Sequence, residues 1–289
     1  MVYSATLDSE GLEYYKEKGF IAASDEPESV SKTLEYAYDD WCIAIMADSL
    51  NQLQTAKQFY QRAQYYKNLY DPETGFLRAK VNNRWFGPFL SEEVNFNYTE
   101  ANAWQYSLFV PQDIEGHIAL MGGKENYSNH LDQMFSANSS TSGREQVDIT
   151  GLIGQYAHGN EPSHHMAYLY NHVGAPHKTQ KIVRQILDEQ YTSLPDGLSG
   201  NEDCGQMSAW YVLSAMGFYS VTPGLDYYTI GTPIFEKATI NLENGNAFTI
   251  VANNVSDKNI YIQSATLNRK IFEHSFIKHS DIVKGGSLV

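Results

Sequence analysis

The sequence has few cysteines and no long apolar run, and each shortage excludes a class of protein. Cys42 and Cys204 are the only cysteines in 289 residues, too few for a disulfide framework, so we expect both to be reduced. No apolar stretch approaches the roughly 20 residues that a membrane-spanning helix needs. The opening segment, MVYSATLDSEGLEYY, lacks the basic and apolar regions of a signal peptide. The sequence therefore predicts neither a secretion signal nor a membrane span, and it leaves the compartment open between cytoplasmic and secreted.

Basic residues are also scarce. The chain has 20 Lys and Arg against 34 Asp and Glu, which gives a formal net charge of −14. Such a surface repels phosphate groups. We therefore expect neither nucleic acids nor anionic membrane surfaces as partners. The hydrophobic share of 42% is ordinary for a folded globular protein. Aromatic residues are plentiful, and we assign most of them to core packing, although some are suited to stacking on sugars.

Apolar spacing predicts a mainly helical chain that ends in short strands. Within a long predicted helix, one face is expected to carry Val30, Leu34, Ala37, Trp41, Ile45 and Leu50. The predicted helices cover residues 26–50, 52–68, 111–121, 125–135, 162–173, 178–191 and 206–218. The predicted strands cover residues 227–230, 238–242, 248–251 and 260–264, where β-branched and aromatic residues are frequent.

One cluster of polar side chains lies in GNEPSHH, residues 159–165, where a loop is predicted to become a helix. The amide of Asn160, the carboxyl of Glu161 and the imidazoles of His164 and His165 fall within six residues. Pro162 suits the first turn of a helix, because its missing N–H would have no partner there. The segment is typical of a site that holds a polar ligand, and the alternative is a capped helix with surface histidines.

A second cluster is YTEANAWQY, residues 98–106, which predicts a Thr-capped helix with Glu100 in its first turn. Glu100 and Trp104 would share one helical face, since they are four residues apart. A carboxyl beside an indole is partly desolvated, which favours the protonated form that a general acid needs. The alternative is a glutamate that only complements the helix dipole.

A third cluster is the glycine-punctuated loop PDGLSGNEDCGQ, residues 195–206, which contains Asp196, Glu202 and Asp203 and leads into an apolar helix. An ionised carboxylate in such a solvated loop is suited to act as a general base. The alternative is an ordinary acidic turn, because polar loops rich in glycine often connect helices.

These three segments, with SVSKTLEYAYDDW at residues 29–41, resemble the signature segments of glycoside hydrolase family 92, the calcium-dependent exo-acting α-mannosidases. The longer strings HGNEPSHHMAYLYN and PDGLSGNEDCGQMSAWYVLSAMGFY contribute to the resemblance. It implies an inverting hydrolysis of α-mannosides. We expect α-1,2-linked mannose in glycans as the substrate, and α-1,3, α-1,4 and mannosyl-phosphate substrates are the alternatives. Glu100 matches the catalytic acid and Asp203 the catalytic base of that family.

The resemblance also implies a cofactor and a binding site. Asn160 and Glu161 match the segment that holds Ca²⁺, and His164 and His165 are expected near the bound mannose. Trp104 and Asn201 complete the predicted sugar-binding set, although some family members carry an acidic residue where Asn201 stands. Calcium takes about six to eight oxygen ligands, so water and sugar hydroxyls would have to complete its shell. An inverting enzyme separates its two carboxyls by roughly 6.5–9.5 Å to admit a water molecule.

The resemblance further implies a fold, namely an incomplete (α/α)6 catalytic barrel at residues 1–222 and a C-terminal β-strand region at residues 223–289. Those strands would pack beside the N-terminal β-domain of the family, which this sequence does not contain, and they are a candidate surface for homo-oligomers. Two alternatives follow. One is a catalytically incompetent fragment that retains metal or mannose binding, and the other is a different (α/α)6 carbohydrate enzyme, such as an inverting phosphorylase.

Overall fold

The computed structural model describes residues 1–289 as two compact units, Met1–Ser163 and His164–Val289. The prediction of a mainly helical chain with a small β region is confirmed. The predicted boundary at residues 222/223 falls inside the second unit and stays a prediction. None of the helices combines the length and the apolar character that a membrane span requires.

The first unit contains six α-helices and eight very short strands. The helices are α1 (Leu12–Lys18), α2 (Ser29–Ser49), α3 (Leu53–Arg62), α4 (Ala103–Tyr106), α5 (Ile114–Leu120) and α6 (Lys124–Ser136). The strands are β1 (Tyr70–Asp71), β2 (Phe76–Leu77), β3 (Lys80–Val81), β4 (Arg84–Trp85), β5 (Glu93–Val94), β6 (Ser142–Gly143), β7 (Leu152–Ile153) and β8 (Tyr156–Ala157). They pair only as two-stranded ribbons, so the helices provide most of the core of this unit.

Helix α2 shows how the apolar pattern forms that core. Val30, Leu34 and Ala37 are fully buried, and they pack in one cluster with Tyr66 and Leu77. Intervals of three and four residues place their side chains on one face of the helix, as the sequence predicts. The exposed side chain of Leu50 follows the helix end at Ser49, so it does not extend this face.

The second unit contains three α-helices and eight strands. The helices are α7 (Pro176–Glu189), α8 (Gln206–Met216) and α9 (His279–Val283). The strands are β9 (Phe218–Tyr219), β10 (Tyr227–Ile230), β11 (Lys237–Asn241), β12 (Ala247–Val251), β13 (Thr266–Leu267), β14 (Lys270–Ile271), β15 (Phe276–Lys278) and β16 (Gly286–Leu288). They form a three-stranded sheet in the order β15-β10-β9 and a five-stranded sheet in the order β11-β12-β16-β13-β14.

Two predicted elements are wrong. Residues 162–173 do not form an α-helix, because short 3₁₀ helices occupy Glu161–Ser163 and Met166–Asn171. Every residue of the second one is buried, so contacts around its whole circumference replace the one-sided packing of an amphipathic helix. Residues 260–264 are not a strand either, since backbone groups there bond to side chains: Ile260 O accepts from Thr232 Oγ1 and Ile262 N donates to Gln180 Oε1.

Candidate active site

The segment that carries Glu100 begins its helix later than predicted. Asn102 caps α4, since its Oδ1 accepts from the backbone N of Trp104 at 3.1 Å and of Gln105 at 3.3 Å. Gln105 Oε1 accepts in return from the backbone N of Asn102, which completes a capping box. Glu100 lies before the helix with φ of 51°, so Thr99 is not the cap and the prediction of a first-turn position is wrong. Asparagine with a glutamine three residues later is the stronger start signal.

Trp104 does not share a helical face with Glu100, because only Trp104 belongs to the helix. Its ring packs against Phe76, with ring centroids 4.7 Å apart, and against His130 at 5.0 Å. These contacts place the indole at the edge of the hydrophobic core. The prediction of a shared helical face is therefore wrong, while a sugar-binding role for Trp104 stays a prediction.

A cleft of about 310 Å³ in the first unit brings three of the predicted site residues together. Glu100, Asn160 and Glu161 all line it. The Asn160 amide Nδ2 lies 3.4 Å from Glu100 Oε2 and 3.4 Å from the Glu100 backbone oxygen, and donates to both. The complete lining is Glu35, Thr99, Glu100, Tyr106, Phe109, Asn160, Glu161 and Pro162. The structure thus supports a polar cavity built by three segments that lie far apart in sequence.

The environment of Glu100 favours its protonated form. Partial burial is the main cause that raises the pKa of this carboxyl, and the negative charge of Asp148 raises it further. The hydrogen bond from Asn160 acts in the opposite direction, while Glu161 and Glu28 add to the increase. A raised pKa suits a general acid, as the sequence predicts, and its causes are partial desolvation and the negative charge of nearby carboxylates.

Glu35 is a cleft residue that sequence reasoning missed. It lies on α2, and its Oε1 accepts a hydrogen bond from the hydroxyl of the buried Tyr106 at 3.1 Å. Burial is the main cause that raises the pKa of Glu35 to about 7, with a further contribution from Asp39. A carboxyl between two residues of an apolar helix face, Leu34 and Ala37, is the signal in the sequence that could have identified it.

The loop around Asp203 belongs to the second unit and has an unusual backbone. Asp203, Cys204 and Gly205 follow one another with φ of 48°, 55° and 93°. Only glycine adopts this left-handed region freely, and Asp tolerates it better than most residues. Glu100 has the same backbone region, so both predicted catalytic carboxyls lie at strained positions, as functional residues often do.

Two neighbouring carboxylates in this loop have different roles. Glu202 accepts hydrogen bonds from the backbone N of Gly205 and of Ser208, so it caps the start of α8. Hydrogen bonding lowers the pKa of Glu202: the side-chain bond from Ser208 is the largest cause, and the backbone bonds from Ser208 and Gly205 add to it. The side chain of Asp203 is exposed to solvent and makes no hydrogen bond to the chain. Asp203 is therefore open to water, which a general base must contact. Cys42 and Cys204 are both free thiols, as expected.

The two predicted sugar-binding histidines are buried, which contradicts the alternative of surface histidines. His164 is 2% exposed and His165 is 6% exposed. His164 Nδ1 lies 3.2 Å from Gln206 Nε2, and the His164 backbone oxygen accepts from Trp210 Nε1 at 2.9 Å. This places His164 against the start of α8. Asn201 is exposed in the preceding loop.

Side chains supply only part of the set of ligands that calcium needs. No group of three or more His, Cys, Asp or Glu is arranged to hold a metal ion. The amide oxygen of Asn160 and the carboxylate of Glu161 are nevertheless hard oxygen donors of the kind that Ca²⁺ prefers, and both residues line the cleft. The chemistry of these donors fits calcium, and other oxygen ligands would have to complete the shell.

Comparison with known proteins gives a consistent result. The family model for the glycosyl hydrolase family 92 catalytic domain matches residues 1–289. The family GH92 α-mannosidase BT3965 of Bacteroides thetaiotaomicron, solved in complex with mannoimidazole, is 41% identical with a TM-score of 0.92, over 97% of this chain and 38% of that one. The family GH92 inverting mannosidase BT2199 of the same organism is 40% identical with a TM-score of 0.87, over 98% of this chain and 40% of that one.

A curated relative is more distant in sequence. An uncharacterized secreted glycosidase of Arthroderma benhamiae is 28% identical over 96% of this chain and 38% of its own length. The chain thus spans about two fifths of the length of the relatives it matches.

Proposed function

Because the chain belongs to glycoside hydrolase family 92, we propose that the protein is an exo-acting, inverting, calcium-dependent α-mannosidase that removes α-1,2-linked mannose from glycans. The observation that carries this proposal is the cleft in which Glu100, with its raised pKa, lies beside Asn160 and Glu161. The mannoimidazole bound to BT3965 and the description of BT2199 as an inverting mannosidase support the substrate class and the stereochemistry.

The proposed reaction uses two carboxyls in different protonation states. Glu100 donates its proton to the glycosidic oxygen as the bond from that oxygen to the anomeric carbon breaks. Asp203 accepts a proton from the water molecule whose oxygen bonds to the anomeric carbon from the opposite face. The products are β-mannose and the shortened glycan, and the two carboxyls exchange protonation states. We propose that His164, His165, Asn201 and Trp104 contribute to sugar binding.

The direct test is the release of mannose from α-1,2-mannobiose, with the anomer followed by NMR. Initial appearance of β-mannose supports inversion, whereas initial α-mannose contradicts it.

A second candidate function is that residues 1–289 alone bind mannose or metal without hydrolysing glycans. The observation that favours it is that the chain spans only about two fifths of the length of its relatives. Binding of mannoimidazole without release of mannose by the same protein would support that candidate.

We also propose an arrangement for residues 1–289. The helices contribute to an incomplete (α/α)6 barrel at residues 1–222, followed by the β-strand region at residues 223–289. Strand β11 is an edge of the five-stranded sheet, and an unpaired edge can add a strand from a second copy. A homo-oligomer through the C-terminal strands is therefore part of the proposal, and a monomeric mass in light scattering would contradict it.

Removal of calcium is expected to abolish mannose release. In the proposed site Asn160 and Glu161 would hold the ion, and a bound Ca²⁺ would orient sugar hydroxyls and favour distortion of the ring toward the flattened oxocarbenium geometry. Activity should disappear after dialysis against a chelator and return with added Ca²⁺, measured as initial rates on α-1,2-mannobiose. Restoration by Zn²⁺ in place of Ca²⁺ would contradict the oxygen-ligand assignment and point to His164 and His165.

The pH profile should depend on Asp148. Its negative charge raises the pKa of Glu100, so Asp148→Asn should lower that pKa. A general acid works only while protonated, so activity is lost as the pH rises through its pKa, and the alkaline limb of kcat/KM should move to lower pH in Asp148→Asn. Glu125→Gln, an exposed change on α6, is the control and should leave the limb in place. An unchanged limb in Asp148→Asn would contradict the assignment of Glu100 as the acid.

A further inference from the structure

The cleft contains a carboxyl that the proposed reaction does not use. Glu35 lines it together with Glu100 and Glu161, although Glu35 comes from the middle of α2. Ser31 precedes Glu35 by one helical turn, and its Oγ accepts from the backbone N of Thr99 at 2.9 Å. Glu35 and Ser31 thus tie one face of α2 to the segment that carries Glu100.

Tyr106 holds the Glu35 carboxyl in place. The tyrosine is only 3% exposed, and its hydroxyl donates to Glu35 Oε1 at 3.1 Å. Oε2 makes no hydrogen bond to the chain, so it can bind a ligand in the cleft. Because Tyr106 already orders the side chain, a ligand that bonds to Oε2 loses little affinity to side-chain ordering.

The charge surroundings of Glu35 disfavour an anionic ligand. Burial raises its pKa to about 7, the negative charge of Asp39 adds to this, and the bond from Tyr106 opposes it. Glu100 and Glu161 line the same cleft and disfavour a further negative charge. A carboxyl that is often protonated near neutral pH can donate and accept hydrogen bonds, as a sugar hydroxyl can.

We propose that Glu35 is a substrate-binding residue that holds one hydroxyl of the sugar through Oε2, and that Tyr106 is the positioning residue that orients it. This rests on the proposed function, because the ligand is the mannose unit that the cleft is proposed to take. The cavity volume of about 310 Å³ is at the lower end of the range for small-molecule sites, which suits a single sugar unit.

The test measures mannoimidazole affinity by calorimetry, with monodeoxy methyl α-mannosides as competitors. Glu35→Ala should weaken mannoimidazole binding about tenfold, Glu35→Gln should recover most of the affinity, and Tyr106→Phe should have an intermediate effect. Asp48→Asn is the matched control, an exposed carboxyl-to-amide change on the same helix, and should bind like the unmodified protein. Removal of one sugar hydroxyl should weaken binding to the unmodified protein about tenfold and binding to the Glu35→Ala variant almost not at all. The reason is that the deoxy sugar and the Glu35→Ala substitution remove the same hydrogen bond.

The other outcomes separate the two proposals. If the unmodified protein binds mannoimidazole and folded Glu35→Ala binds it equally well, the Glu35 assignment is wrong and the proposed function stands. If every deoxy sugar loses the same affinity in both proteins, Glu35 has only a structural role. If the unmodified protein binds no mannoimidazole, the proposed function fails and the role of Glu35 fails with it. If Glu35→Ala does not fold, the same comparison is made with Glu35→Asp, in which the carboxyl is one methylene shorter. That comparison then decides whether Glu35 binds the sugar.

Discussion

Replacing Glu100 with glutamine should lower kcat on α-1,2-mannobiose by about 10²–10⁴-fold, because a sugar leaving group needs a proton as the glycosidic bond breaks. An aryl mannoside with a strongly acidic phenol leaves without that proton, so the same variant should lose much less activity on it. The measurement is kcat on each of the two substrates, for the Glu100→Gln variant and for the unmodified protein. The unmodified protein must itself release mannose. Equal losses on both substrates would rule out Glu100 as the proton donor.

The control for this variant should reproduce the backbone of Glu100. Glu10 is also a glutamate in the left-handed region, with φ of 52°, and its carboxylate pairs with Lys32 at 3.1 Å. It is not among the residues that line the cleft. Glu10→Gln therefore makes the same substitution at a strained backbone position without removing the proposed proton donor. Its kcat on both substrates should stay within about twofold of that of the unmodified protein.

Replacing Asp203 with asparagine should lower kcat by about 10²–10⁴-fold while mannoimidazole binds almost as before. The carboxylate is needed when it takes a proton from water in the transition state, and its loss therefore falls on kcat rather than on ground-state binding. Stability should not fall, because Asn adopts the left-handed backbone at least as well as Asp. An equal loss of binding and rate would contradict the assignment of Asp203 as the base.

Glu202 gives the matched comparison, since it lies next to Asp203 and has a structural role. Its carboxylate accepts from the backbone N of Gly205 and of Ser208 at the start of α8. Glu202→Gln should lower the free energy of unfolding, as the weakening of a helix cap does, and change kcat far less than Asp203→Asn. The two variants together test whether the loop divides catalysis and capping between adjacent carboxylates.

Local sequence patterns predicted much of the helical structure. Helices α2, α6, α7 and α8 lie within a few residues of their predicted bounds, because apolar spacing and flanking Gly or Pro act within one element. The predicted strand at Tyr227–Ile230 is confirmed for the same reason. Segment 98–106 shows the limit of this reasoning, because Thr99 and Asn102 are both suitable helix caps. Asn102 is the cap in the structure, where its backbone N donates to Gln105 Oε1.

Composition and local motifs determined by themselves that the chain is mainly helical, which family it belongs to and which segments carry polar clusters, because those properties depend on residues close together in sequence. Tertiary structure alone decided that Glu35 joins Glu100, Asn160 and Glu161 in one cleft and that His164 and His165 are buried. Burial and long-range hydrogen bonds come from residues tens of positions apart, so no local pattern encodes them. The protonation of Glu100 depends on the same contacts, because its pKa follows from what the folded chain places around it.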